Sequence, residues 1–168
     1  GLRIEQFHNP SLEPYPYYEE ALRRDPGNYR VNRSLGILYY ERGMMDQARK
    51  HLTKAVERIT RKYTNPRDGE AHYYLGLTEK YLDNNQKAYD ALYKATWDYR
   101  FSPPAFYQLA QLDCRAGNFE KALEHLNRAR PKLIVFDVFF HPAAPQVTPP
   151  PLDAPVYRAC PDTRAVLA

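Results

Sequence analysis

The chain has 168 residues, of which 43% are hydrophobic and 26% charged, a composition typical of one globular domain with its own core. Its net charge of +4 is spread over interspersed acidic and basic residues, which argues against nucleic acid as the ligand. No apolar run is long enough to cross a bilayer, so the sequence predicts no membrane-spanning helix.

Two cysteines, Cys114 and Cys160, stand outside any CxxC motif and cannot build a disulfide framework. This favours a reducing compartment such as the cytoplasm, although it does not identify the compartment. The sequence starts with Gly1 rather than Met and shows no signal peptide. We therefore expect a piece of a longer protein.

Periodic apolar residues and turn signals predict seven helices. In chain order they lie near residues 16–24, 29–41, 45–60, 69–82, 85–99, 103–116 and 119–130. The first of these contains Tyr18 and Ala21 and ends before Asp25-Pro26, as a helix followed by a terminating proline should.

Three segments repeat one spacing of small and apolar residues. Each has a leucine followed by a small residue, and then an alanine, a leucine and a second alanine at fixed distances from it. The sets are Leu35-Gly36, Ala48, Leu52, Ala55; Leu75-Gly76, Ala88, Leu92, Ala95; and Leu109-Ala110, Ala122, Leu126, Ala129. Copies one and two lie further apart in the sequence than copies two and three, and the extra residues fall around 62–68.

This spacing predicts pairs of antiparallel helices. The small residue of the first helix and the alanines of the second allow close approach, and the leucine of the second helix fills the space between them. Gly43 and Gly117 supply the turn between the two helices in copies one and three. Copy two has Asp83-Asn84-Asn85 instead, where an asparagine is expected to take the positive φ angle.

The repeated pattern resembles the tetratricopeptide repeat (TPR). The resemblance implies an all-α, right-handed superhelical solenoid of antiparallel helix pairs. It divides the chain into an N-terminal extension with a half-repeat (1–28), three repeats (29–62, 69–102 and 103–130) and an irregular proline-rich tail (131–168). Copy one has Tyr39 at the tyrosine position of the repeat, whereas Glu79 and Asp113 replace this tyrosine in copies two and three.

A narrower resemblance rests on the KATW stretch (Lys94–Trp97) and the LDCRAG stretch (Leu112–Gly117). These are similar to the TPR region of large bacterial proteins that carry a β-rich, carbohydrate-associated domain of unknown function. The resemblance implies that any carbohydrate chemistry belongs to that other domain.

The tail does not follow the repeat. More than half of the prolines of the chain lie in it, which excludes a continuous helix, and Lys132–Phe140 is strongly apolar. Two interpretations stay open. The apolar run folds back over the last helix and covers Ala122, Leu126 and Ala129, or the tail is not part of the natural protein.

The TPR resemblance places positions 2, 5, 9 and 12 of each repeat on the concave face of the solenoid. The predicted peptide-binding groove consists of Arg30, Arg33, Ile37, Tyr40, Tyr73, Leu77, Lys80, Tyr81, Tyr107 and Gln111. Arg33, Tyr73 and Tyr107 are expected to form one row, in which tyrosines contribute rigid contact area and arginine binds carboxylates. Some TPR domains clamp a terminal carboxylate with Lys and Asn, but Ile37 and Tyr74 stand where Asn is needed.

Other aromatic side chains are predicted to be structural. Tyr39, Tyr74, Tyr89 and Tyr93 should pack between helices, and Trp97 should pack against the following repeat.

No catalytic residue, metal site or cofactor is predicted. His51 and His125 lie in different helices, His72 has Gly76 rather than a ligand one helical turn later, and no phosphate-binding loop occurs. Cys114 has Arg115 beside it, which would lower the pKa of the thiol. The predicted function is therefore a non-enzymatic scaffold that binds a protein, a peptide or the missing upstream domain; the alternative is an accessory region of a larger carbohydrate-active enzyme.

Overall fold

The structure is a computed structural model that describes residues 1–6, 13–62 and 68–129. All regular secondary structure in these ranges is α-helical. The helices are α1 (Leu2–Gln6), α2 (Tyr15–Arg24), α3 (Tyr29–Glu41), α4 (Met45–Thr60), α5 (Glu70–Tyr81), α6 (Asn85–Ala95), α7 (Ser102–Arg115) and α8 (Phe119–Ala129). The tail lies outside the described residues, so both interpretations of it stay predictions.

Neighbouring helices along the chain pack as pairs. α3 packs on α4, α5 on α6 and α7 on α8, and successive pairs join through contacts of α4 with α5 and of α6 with α7. α3 also contacts α5 directly, so the first helices of the first two pairs lie side by side. Apart from α1, which was not predicted, and the end of α6, the helices begin and end within one residue of the predicted positions. The assignment of repeat boundaries stays a prediction.

Helix α6 ends at Ala95, well before the predicted end at residue 99. The side chain of Asp98 accepts hydrogen bonds from the backbone N–H groups of Gly69 at 2.9 Å and Arg100 at 3.0 Å. The backbone oxygen of Asp98 accepts from Phe101 and Ser102. These bonds hold residues 96–101 in turns that lead into α7, which explains why the helix does not continue.

The turn within each pair has the same hydrogen-bond pattern. A residue just beyond the turn donates a backbone hydrogen bond back to the last turn of the first helix, as in the Schellman motif. The three bonds run from Met44 to Tyr39 (2.8 Å), from Asn84 to Glu79 (2.9 Å) and from Asn118 to Asp113 (2.8 Å). Gly43 and Gly117 have φ near +75° and +77°; in copy two it is Asp83, at +57°, and not an asparagine that takes this conformation.

The repeated alanines form the centre of the core, as the spacing predicts. Ala48 and Ala88 are fully buried and Ala122 is 2% exposed, while Leu52 and Leu92 are fully buried. A Cβ atom placed on Gly36 would lie 2.5 Å from Leu52 Cγ, and one on Gly76 would lie 2.5 Å from Leu92 Cγ. The paired helices can therefore approach this closely only because these positions lack a side chain.

One buried histidine has no compensating hydrogen bond. His72 is 1% exposed, and neither ring nitrogen has a hydrogen-bond partner within the described part of the chain. Burial, with a further contribution from Lys94, lowers the pKa of His72 to about 4, although Asp68 acts in the opposite direction. The imidazole is therefore neutral in the folded chain near neutral pH.

Gly36→Ala tests the close contact between helices. We expect it to lower the free energy of unfolding by about 1–3 kcal/mol because the new methyl group would lie too close to Cγ, Cδ2 and the backbone nitrogen of Leu52. The matched control is Gly27→Ala, where the nearest atom, Asp25 Oδ1, is 3.6 Å away. Urea denaturation followed by circular dichroism measures both, and equal stability of the two variants would contradict the packing argument.

The pKa of His72 makes a second prediction, on stability against pH. Between about pH 6.5 and about pH 4 the unfolded chain takes up a proton that the folded chain excludes, so the free energy of unfolding should fall by about 3 kcal/mol as the pH decreases. His72→Phe should remove this dependence, and Phe106 already stands at the same position of copy three. Urea denaturation across that range provides the measurement; an unchanged pH slope in the variant would refute the assignment.

Candidate functional site

The ten predicted groove residues come from the first helices of the three pairs, α3, α5 and α7. We call this surface the groove face. Tyr81 and Tyr107 are 70% and 50% exposed, and Arg30 is also exposed. The other seven, which are partly buried, are Arg33, Ile37, Tyr40, Tyr73, Leu77, Lys80 and Gln111.

Side chains of the groove face reach from one first helix to the next. The rings of Tyr40 on α3 and Tyr74 on α5 meet edge to face, with centroids 5.6 Å apart. Tyr73 contacts Tyr74 at 5.6 Å and Phe101, just before α7, at 5.5 Å. Burial, followed by the neighbouring Tyr40 and Tyr74, raises the pKa of Tyr73.

Arg33 is bound within the chain. Its guanidinium lies 2.6 Å from an oxygen of Asp68 and 2.9 Å from an oxygen of Glu70, and the Tyr29 hydroxyl donates a 2.7 Å hydrogen bond to Asp68. Burial alone would lower the pKa of Arg33, but Glu70 and Asp68 raise it overall. Two carboxylates therefore already balance the charge that the sequence suggested for binding a ligand.

Lys80 has a different environment. Its ammonium group donates to Gln108 Oε1 at 2.6 Å and to Gln111 Oε1, both on α7. These acceptors are neutral, and Lys80 forms no ion pair with a carboxylate of the described chain. Burial, with a smaller contribution from Arg115, lowers the pKa of Lys80.

The structural tyrosines only partly follow the prediction. Tyr39 packs against Tyr15 at 5.3 Å and His51 at 5.5 Å, and Tyr89 contacts His125 at 6.1 Å. Tyr93 and Trp97 were predicted to be packed, but they are 44% and 52% exposed. They line a shallow surface depression together with Tyr89, Asp90 and Lys94, on α6 and the turn after it.

Sequence reasoning missed a link between α7 and α8. Asp113, which replaces the repeat tyrosine, is 2.9 Å from His125 Nδ1, and both side chains are buried. In copy one, Tyr39 and His51 have the same separation in the sequence and their rings stack. The sequence did contain a signal for this link, because in copies one and three a histidine follows the tyrosine position at the same distance. Neither pair faces the groove face, because both lie between the two helices of a pair.

Three further properties concern metal binding, membrane spanning and the reactivity of Cys114. Among the described residues, no group of three or more His, Cys, Asp or Glu side chains is placed to hold a metal ion. In those same ranges, no helix is both long and apolar enough to cross a bilayer. Burial and then Asp113 raise the pKa of Cys114, contrary to the lowering expected from Arg115.

Comparisons with known proteins agree with this architecture. Residues 15–61 match the tetratricopeptide-repeat sequence family. Two solved structures, titled "Crystal structure of MamA" and "Crystal structure of MamA protein", are each 29% identical over 67% of this chain, with TM-scores of 0.59. A third, "MamA MSR-1 C2", is 24% identical over 67% of this chain with a TM-score of 0.55. The matches cover 62%, 58% and 61% of those chains, so this chain spans about three fifths of their length.

These findings confirm the predicted fold class, an all-α TPR solenoid of antiparallel helix pairs. They give no evidence for the link to a carbohydrate-associated β-rich domain, which stays a prediction.

Arg33→Ala tests whether this arginine is structural. The change removes the nearer cation from Asp68, which keeps only a 3.5 Å contact with Arg100, and leaves Glu70 without its Arg33 pair, so we expect a loss of about 1–2 kcal/mol in the free energy of unfolding. The control is Arg49→Ala, which breaks an exposed pair with Asp46 within α4 and should have little effect. Chemical denaturation of both variants gives the comparison, and equal losses would show that the Arg33 pairs add no stability.

Proposed function

We propose that this chain, a TPR solenoid and therefore a protein-interaction scaffold, binds an extended peptide segment or a sister domain on its groove face. The observation that carries the proposal is the chemistry of α3, α5 and α7, where tyrosine rings and long polar side chains occupy corresponding positions on adjacent helices. Such a surface offers rigid aromatic area with hydrogen-bonding groups beside it, the composition found at the centre of protein interfaces.

Tyr107 is the most direct contact residue in the proposal. It is half exposed on α7, and Gln111 lies about one turn later on the same side of that helix. By contrast, Arg33 and Tyr73 support the groove face from within, because their strongest contacts are to other residues of the chain. A ligand would therefore meet Tyr107 before it meets the other two members of the predicted row.

The proposal assigns no catalytic step to these residues. The accessory role in a carbohydrate-active enzyme stays a prediction from the sequence resemblance.

Peptide selection tests the groove face. Short random peptides displayed on phage are selected on the purified chain, and their affinities for Tyr107→Ala and Tyr93→Ala are then compared by fluorescence polarisation. The two tyrosines have similar exposure, but Tyr93 is on α6, a second helix. We expect Tyr107→Ala to weaken binding at least about tenfold, as loss of an aromatic hot spot does, and Tyr93→Ala to leave it unchanged.

Two results would argue against the proposal. Peptides that bind both variants as tightly as the original chain would show that Tyr107 makes no contact. Peptides that lose affinity only in Tyr93→Ala would place the binding surface on the second helices of the pairs, such as α6. Far-ultraviolet circular dichroism verifies that each variant keeps its helical content.

A further inference from the structure

We infer that Lys80 is an acid-binding position of the groove face and accepts an aspartate or glutamate side chain from an extended partner peptide. The inference rests on the proposed function and adds to it the chemistry of the partner.

The first argument is the unbalanced charge of Lys80. An ammonium group has three N–H donors, and two of them bind the glutamine oxygens of Gln108 and Gln111. Those neutral acceptors fix the position of the ammonium without cancelling its charge. Because the side chain is also partly buried, a carboxylate arriving at the third donor would gain a charge-assisted hydrogen bond in a partly desolvated place.

The second argument is the character of the surrounding groups. Arg115 is close enough to Lys80 to act on it electrostatically, and Tyr107, Gln111 and Arg115 follow each other about one turn apart along α7. These side chains contribute a hydroxyl, an amide and a guanidinium, all able to donate hydrogen bonds. The region therefore matches a ligand with negative charge and many acceptors.

The third argument is the contrast with Arg33. That cation is also partly buried on the groove face, but Asp68 and Glu70 of the same chain both pair with its Nη1 and already balance its charge. A carboxylate from a partner would there add a third negative charge beside one guanidinium, whereas at Lys80 it would meet a cation that no carboxylate of the described chain balances. Charge complementarity thus places the acidic residue of the partner between α5 and α7.

We assign the carboxylate to a side chain rather than to a peptide terminus. Lys80 lies on α5, which has the first helix α3 on one side and makes side-chain contacts with α7 on the other. A bound peptide can continue in both directions from this position, so the chain need not end there.

The experiment uses peptides from the selection described above, resynthesised with an acetylated N-terminus and an amidated C-terminus. Each is compared with versions in which one Asp or Glu is replaced by Asn or Gln. For the acid that contacts Lys80, we expect the neutral version to bind about tenfold more weakly. Lys80→Gln should abolish that difference, whereas Lys54→Gln, an equal charge change at an exposed position on α4, should preserve it.

A charge exchange makes the test stricter. Lys80→Glu should reject the acidic peptide and recover affinity for a version with lysine in place of the acid. Recovery would support direct contact, and its absence alongside an unchanged helical spectrum would contradict it.

The remaining outcomes separate this inference from the proposed function. Suppose that peptide affinity falls in Tyr107→Ala but the peptides show no preference for an acid, or keep that preference in Lys80→Gln. The inference is then wrong, and the proposed binding on the groove face is still supported. If a single-stranded oligonucleotide binds more tightly than every peptide and loses affinity in Lys80→Gln, the ligand is phosphate rather than a peptide acid, which overturns the inference. If no selected peptide depends on Tyr107, both fail. A cation that only stabilises the C-terminal end of α5 would change the stability of Lys80→Gln without changing peptide preference, which also overturns it.

Discussion

The structure depends on the close approach of two helices at positions that have almost no side chain. Gly36 faces Leu52 and Gly76 faces Leu92 at distances that leave no room for a methyl group. Because the alanines at 48 and 88 are equally enclosed, the second helix of each pair is held along its length. Tight pairing uses one side of each first helix, and this leaves another side of α3, α5 and α7 for a partner.

Charge is distributed unevenly between the pairs. Between the first and second pairs, Asp68 accepts from Tyr29 and pairs with Arg33, so the cation of α3 is part of the joint between them. Between the second and third pairs, the cation of α5 meets only glutamine oxygens. The first arrangement stabilises the solenoid by itself, and the second leaves a positive charge that a ligand can balance. This asymmetry is why the proposed acid-binding position lies at Lys80 and not at Arg33.

Much of the fold could be predicted from the sequence, and much less of the candidate site. The spacing of Ala48, Ala88 and Ala122 predicted their burial correctly, because small residues that recur at a fixed interval lie where two paired helices approach each other closely. Tyr93 was predicted to pack between helices and Trp97 against the following repeat, but both side chains are exposed. Aromatic residues are frequent both in cores and on binding surfaces, so residue type alone does not distinguish the two locations.

The sequence by itself determined the helices, their pairing and the glycine turns, because these follow from local periodicity and from backbone conformations that few residues adopt. Only the tertiary structure decided which charges are balanced. Asp68 is 35 residues from Arg33, and Gln108 is 28 residues from Lys80, so nothing in the local pattern identifies either partner. It also decided that Asp98 ends α6, because the side chain of Asp98 accepts a hydrogen bond from the backbone N–H of Gly69, 29 residues away in the sequence.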